Sequence, residues 1–195
     1  MKKKESKKYL FIFALLFLIF LMPLIVAILL FNKNPNWLHQ QTVNKGTLIS
    51  EHLILQQLKL VPQKTTLRSF KNKWLLFYLT PSPCNRLCQK NLYRMRQIIL
   101  ALGKYRHQVQ YALILIKDNP LATYPFPSKD ANLLNYTTSK LHAQKIFSAL
   151  NIKNHHAAYF IADPFGRIIL YYSNNSAGEN IYQDLMRLLI ISTTG

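Results

Sequence analysis

Apolar and polar positions divide the chain into one long uncharged run and a series of shorter periodic segments. Tyr9 to Phe31, YLFIFALLFLIFLMPLIVAILLF, contains 23 residues without a charge. At a 1.5 Å rise, about 20 helical residues cross a hydrocarbon core of roughly 30 Å, so this run is read as a transmembrane helix. Pro23 lies inside it, which membrane helices tolerate better than soluble ones. Residues 32–45, NKNPNWLHQQTVNK, are polar and read as a linker.

Beyond the linker the periodicity changes. A short strand is expected around Leu48–Leu55. Trp74 to Thr80, WLLFYLT, is a continuous apolar run bounded by charge and proline, the pattern of a strand buried on both faces. Cys84 to Leu102 reads as a helix, with Leu87, Leu92, Met95, Ile98, Ile99 and Leu102 spaced mostly by three and four and Gly103 as its cap. Val109 to Ile116 is a second buried strand, and Leu121 to Asn135, with Pro125 and Pro127, reads as an excursion. Thr138 to Leu150 is a helix. Ala157–Ala162 and Arg167–Tyr172 are strands joined by DPFG, a tight-turn sequence, and Asn180–Ile191 is a closing amphipathic helix. This alternation predicts an α/β domain over residues 46–195, a sheet with flanking helices.

Charge adds an orientation. Lys2, Lys3, Lys4, Lys7 and Lys8 precede the apolar run in a basic tail, residues 1–8. The positive-inside rule then places the N-terminus in the cytoplasm and the C-terminal domain in the periplasm, held by a single span in a bacterial-type inner membrane. A cleaved signal is disfavoured, because the run exceeds the 7–15 residues of a signal core and no small-residue cleavage site follows. The net charge is +18, of which the chain beyond the basic tail, with 20 basic and six acidic residues, carries +14. These charges are scattered along the sequence and read as solvated surface; a nucleic-acid partner is not expected for an exported domain. Hydrolase and phosphate-loop motifs are absent from the sequence.

The candidate chemistry lies in PSPCNRLCQK, residues 81–90, which holds the only two cysteines, Cys84 and Cys88. Within a helix, residues four apart share one face. A helix N-terminus favours thiolate, the form that binds metal or attacks a disulfide. A purely structural staple over so short a loop would restrain the unfolded chain little. Metal binding and redox exchange therefore both remain open. Two thiolates with an imidazole suit Cu(I) or Zn. Of the six histidines, His39 falls in the linker, and His52, His107 and His142 read as surface or remote. His155 and His156 directly precede the strand AAYFIA.

The stretch WLLFYLTPSPCNRLCQKNLYRMRQI, followed later by HHAAYFIADPFGRII, resembles the Sco/SenC family, membrane-anchored thioredoxin-like proteins that help assemble the copper centre of cytochrome c oxidase. The resemblance covers roughly residues 70–195. It implies a thioredoxin-like fold, a copper ion (Cu(I), Cu(II) or both) bound by Cys84, Cys88 and His155, and the copper subunit of a respiratory oxidase as partner. The chain departs from the family pattern at Asn85 and Gln89, where the family usually has proline, and in the shortness of its middle excursion. Two other readings stand beside the metallochaperone: a thiol–disulfide reductase acting on oxidase-subunit cysteines through Cys84 and Cys88, and a membrane-tethered scaffold with a residual motif. No proline occurs between Ser128 and Asp163, where thioredoxin-like reductases normally carry one before the strand beginning here at Ala157.

Overall fold

The computed structural model describes residues 2–33, 43–50, 52–63, 72–121, 130–152 and 157–193. It divides into two compact units, Met1–Val43 and Asn44–Gly195.

The first unit is one helix, α1 (Lys2–Lys33), with Pro23 inside it. Its described apolar side chains, among them Phe13, Phe17 and Phe20, are exposed. Among the described residues, no helix is long and apolar enough to cross a membrane. Side chains of α1 are described only at positions 12–13 and 15–29. The helix expected from the sequence is therefore present, and its membrane span is not shown. The linker lies largely outside the described residues.

The second unit is built on a mixed sheet. Its strands are β1 (Thr47–Leu48), β2 (Val61–Pro62), β3 (Trp74–Pro81), β4 (Val109–Lys117), β5 (Leu133–Ser139), β6 (Ala158–Ala162) and β7 (Ile168–Ser173), in spatial order β1-β7-β6-β3-β4-β5-β2. Strands β3, β4 and β5 run parallel, and β6 joins the other edge of β3 antiparallel. The helices are α2 (Arg86–Ala101), α3 (Lys140–Ala149) and α4 (Gly178–Thr193).

Side chains alternate across the strands, so the sheet separates two apolar layers. On one face Leu76, Tyr78, Leu113, Tyr159 and Ile161 pack under Leu92, Met95 and Ile98 of α2 and Ile181, Leu185 and Leu189 of α4. On the other, Phe77, Leu79, Ile114 and Phe160 meet Ile146 and Phe147 of α3 and Leu55 and Leu58 of a short 3-10 turn. The Phe77 and Phe160 rings stack across adjacent strands, 5.1 Å apart. Burial on both faces explains the unbroken apolar run of β3.

The structure corrects four element boundaries. The strand expected over Leu48–Leu55 is only Thr47–Leu48, with Ile54 adding an isolated bridge to Arg167. β5 starts in the last three residues of the expected excursion and runs into the expected helix, hidden because its buried Asn135, Thr137 and Thr138 break the apolar pattern. The two threonine side chains have partners outside the strand, Gln63 Nε2 donating to Thr137 Oγ1 at 3.1 Å and Thr138 Oγ1 to Leu58 O, while Asn135 Nδ2 donates to Leu133 O at 3.3 Å within it. The helix expected from Thr138 starts at Lys140, capped by Ser139. The helix expected from Cys84 starts at Arg86. The DPFG turn forms as expected: Asp163 Oδ1 accepts from Phe165 N at 2.9 Å and Arg167 N at 2.8 Å, and Gly166 takes a φ of +85°.

A buried carboxylate ties the start of this unit to its last helix. Asp184 is 1% exposed and accepts from Lys45 N at 2.8 Å, Gly46 N at 2.8 Å and Tyr172 OH at 2.8 Å. A Cβ on Gly46 would lie 2.5 Å from the Tyr172 ring, so only glycine admits this approach. Asp184→Ala leaves three donors without their acceptor, and hydrogen bonds to a charged group contribute about 1.5–3 kcal/mol each at most when not compensated. The variant is expected to lose about 3 kcal/mol of stability in urea titration; an unchanged midpoint would show the clasp to be idle.

Alkaline stability follows from the same residues. Burial, then the Asp184 hydrogen bond and charge, hold the Tyr172 phenol above its ordinary value, and burial does the same for Tyr78 and Tyr159. Above pH 10 the unfolded chain releases these protons while the folded chain retains them, so stability falls as pH rises through and beyond 10. Melting temperatures taken between pH 8 and 11 are expected to drop, and to drop less in Tyr172→Phe.

Candidate functional site

The end of β3 sets the site. The chain leaves the sheet at Pro81, passes a cis Ser82–Pro83 bond, and enters α2. Asn85 is the N-cap, its Oδ1 accepting from Cys88 N at 3.0 Å. The Asn85 side chain thus satisfies a helix-end donor. Cys88 lies in the first turn of α2 and is buried, 2% exposed; Cys84 precedes the cap and is half-buried against the same apolar layer.

The two cysteines therefore do not share a helical face, as the sequence suggested. They face each other across the cap, with Cα atoms 5.3 Å apart, and are joined as a disulfide. An incoming thiolate meets Cys84 first, because Cys88 is covered. On reduction Cys88 becomes a thiol at the N-terminal end of the α2 dipole, with Arg86 as the first helical residue and no acidic residue in that turn. Both features favour a thiolate.

Beneath the pair lies a polar cluster that periodicity did not disclose. Asn91 is fully buried, one turn beyond Cys88. Its Nδ2 donates to Tyr78 OH at 2.8 Å and to Asn174 Oδ1, and Tyr78 OH donates to Asn174 Oδ1 at 2.6 Å. The cluster ties α2 to β3 and to the turn after β7. Burial is the main cause that raises the Tyr78 phenol, with the Asn91 hydrogen bond opposing it. The signal in the sequence was a lone Asn three residues after Cys88, on the apolar side of the helix.

Beside the cysteine loop is a cleft of about 360 Å³, lined by Tyr78, Pro83, Asn85, Leu87, Ala157 and Asn174. The antiparallel register sets Leu79 of β3 against Ala158 of β6, so β6 begins where β3 ends. His155 and His156 lie outside the described residues, but Ala157, two positions after His155, is in the cleft wall. The other described histidines are engaged elsewhere or remote: His142 with the Ser139 hydroxyl at 2.7 Å, His107 with Lys104 O at 2.7 Å. Among the described residues no three His, Cys, Asp or Glu side chains gather as a metal site.

A thioredoxin-like sheet with a cysteine pair at the start of its first packed helix is the class these features define. The family model "Transmembrane-like, thioredoxin-like, C-terminal domain" matches residues 74–192, and the chain belongs to that family. No curated protein matches the sequence. Among solved structures, the chain is similar to Arabidopsis thaliana ScoI with copper bound (12% identity, 63% of this chain and 87% of that one, TM-score 0.46). It is likewise similar to yeast Sco1 with copper bound (16%, 62% and 80%, TM-score 0.46). A third is the thioredoxin domain of a thiol-disulfide oxidoreductase from Bacteroides vulgatus (11%, 76% and 99%, TM-score 0.43).

Asn85→Ala removes the acceptor of Cys88 N. It is expected to cost about 1 kcal/mol of stability and to slow alkylation of reduced Cys88 near neutral pH. Alkylation rates of the reduced chain across pH, with Cys84→Ser as background, check this; an unchanged profile would detach the cap from the chemistry.

Proposed function

We propose that this chain is a membrane-anchored copper-binding assembly factor whose cysteine pair, once reduced, carries copper and passes it to an acceptor by ligand exchange, in the service of a respiratory oxidase. The observation that carries the reading is the Cys84–Cys88 pair at the end of β3, with the start of β6 in the wall of the same cleft. In the disulfide state the two sulfurs have no thiolate to offer. A dithiol reductant supplies two electrons and two protons, opens the S–S bond to two thiols, and leaves as its own disulfide.

The donor set then fits copper as cargo. Cys84 and Cys88 as thiolates, with the imidazole of His155, make a soft set of three that leaves one side of the metal open. An open side lets an acceptor's ligands replace those of the carrier one at a time. The uncharged run Tyr9–Phe31, with the basic residues before it, would hold the domain beside a membrane-embedded target, N-terminus in the cytoplasm. The family's description as transmembrane-like supports the anchor.

A second reading has its own support: the structure holds the pair as a disulfide, the form a thiol–disulfide reductase takes after it has given two electrons to its target. Oxidase copper content in cells carrying Cys84→Ser, Cys88→Ser or His155→Ala separates the two. The copper carrier requires all three residues, so each variant is expected to lower oxidase copper at least tenfold. A reductase would fail in both cysteine variants and persist in His155→Ala, and a scaffold would tolerate all three.

A further inference from the structure

At the opposite end of β3 from the cysteines, the structure gathers cations that looked scattered in the sequence. Lys73, Arg96 and Arg106 line a groove of about 380 Å³ between the end of α2, the 3-10 turn after it and the starts of β4 and β5, together with His107 and exposed Leu100. Asp130 is the acidic residue near it, and it is already engaged. Tyr111 OH donates to its Oδ2 at 2.5 Å, Asn132 N to its Oδ1 at 3.0 Å, and Arg96 lies at 3.5 Å. Lys73 and Arg106 enter no ion pair among the described residues. The undescribed stretches 64–71 and 122–129 contain no Asp or Glu. Two of the six acids beyond the basic tail, Asp163 and Asp184, are buried, which leaves the surface of this unit short of negative charge.

We propose that this groove binds the phosphate headgroups of anionic lipid. The proposal rests on the membrane anchor put forward above. Only residues 34–43 separate α1 from this unit along the chain, so the domain stays within a short chain's reach of a bilayer surface. Anionic leaflets attract basic groups near them, and the attraction fades within a Debye length. Uncompensated cations in a concave lining, with Leu100 beside them, suit a headgroup with its adjoining glycerol. β3 spans eight residues, roughly 26 Å, so the groove and the cysteine loop lie at opposite ends of the strand and docking by the groove leaves the loop uncovered.

The test uses the full chain in nanodiscs of phosphatidylglycerol or of phosphatidylcholine, read by amide hydrogen exchange. Exchange over Gly103–Gln110 is expected to slow in phosphatidylglycerol alone, and to return to the phosphatidylcholine rate in high salt. Lys73→Gln with Arg106→Gln should weaken the protection by well over tenfold, since each basic group near such a surface contributes about fivefold in binding. Equal exchange in both lipids overturns the proposal. So does protection by soluble polyglutamate in its place, which would point to an acidic protein. Recovery of the chain outside the nanodisc fraction would overturn the anchor, and the same peptide, read with phosphatidylglycerol vesicles added to the free chain, would then decide the groove by the same criteria.

Discussion

The site depends on the burial of β3. This strand is covered on both faces and paired along both edges, with β4 on one side and β6 on the other. Its end is therefore fixed in space, and everything chemical departs from that end. The loop from Pro81 to Asn85 is short and capped, so Cys84 and Cys88 inherit the position of the strand. The same pairing brings the start of β6 beside them. A cysteine pair on a freer loop would not be held against a second strand end.

The polar residues beneath the pair complete that constraint. Asn91 joins α2 to Tyr78 of β3 and to Asn174, which follows β7, so three elements meet under Cys88. The directional bonds of Asn91 Nδ2 and Tyr78 OH constrain how the helix sits on the sheet more narrowly than apolar contact does, while Asn91 Oδ1 is buried without a hydrogen-bond partner among the described residues. The Asp184 clasp acts likewise at the edge of the sheet, where β1 is only two residues long and needs the backbone of Lys45 and Gly46 to be anchored. Groove and cysteines sit at opposite ends of one rigid strand, which separates a surface suited to lipid from a loop suited to exchange.

Much of this was legible in the sequence because apolar periodicity reports burial. β3, β4, β6, β7 and the helices lie within a few residues of where the pattern puts them. The pattern is silent where buried positions are polar, which hides β5 between an expected excursion and an expected helix and hides Asn91 altogether. It also misjudged the helix start. Cys84 and Cys88 four apart suggest one helical face, but Asn85 caps the helix between them, and a cap residue is by nature non-helical. The cationic groove was hidden for a different reason: Lys73, Arg96 and Arg106 are far apart in sequence and meet only when α2 returns its end to the start of β4. His155, the third expected ligand, lies outside the described residues and stands on the sequence and on the position of Ala157.

The central claim is that one cysteine pair alternates between a disulfide and a copper site. Copper stoichiometry of the purified full chain in detergent tests it most directly, loading Cu(I) without oxygen onto the reduced and the oxidised protein and then desalting. The account predicts one retained copper per reduced chain and none on the disulfide form, with the reduced site lost in His155→Ala. A reduced chain that retains no copper would contradict it and leave thiol–disulfide exchange as the chemistry of the pair.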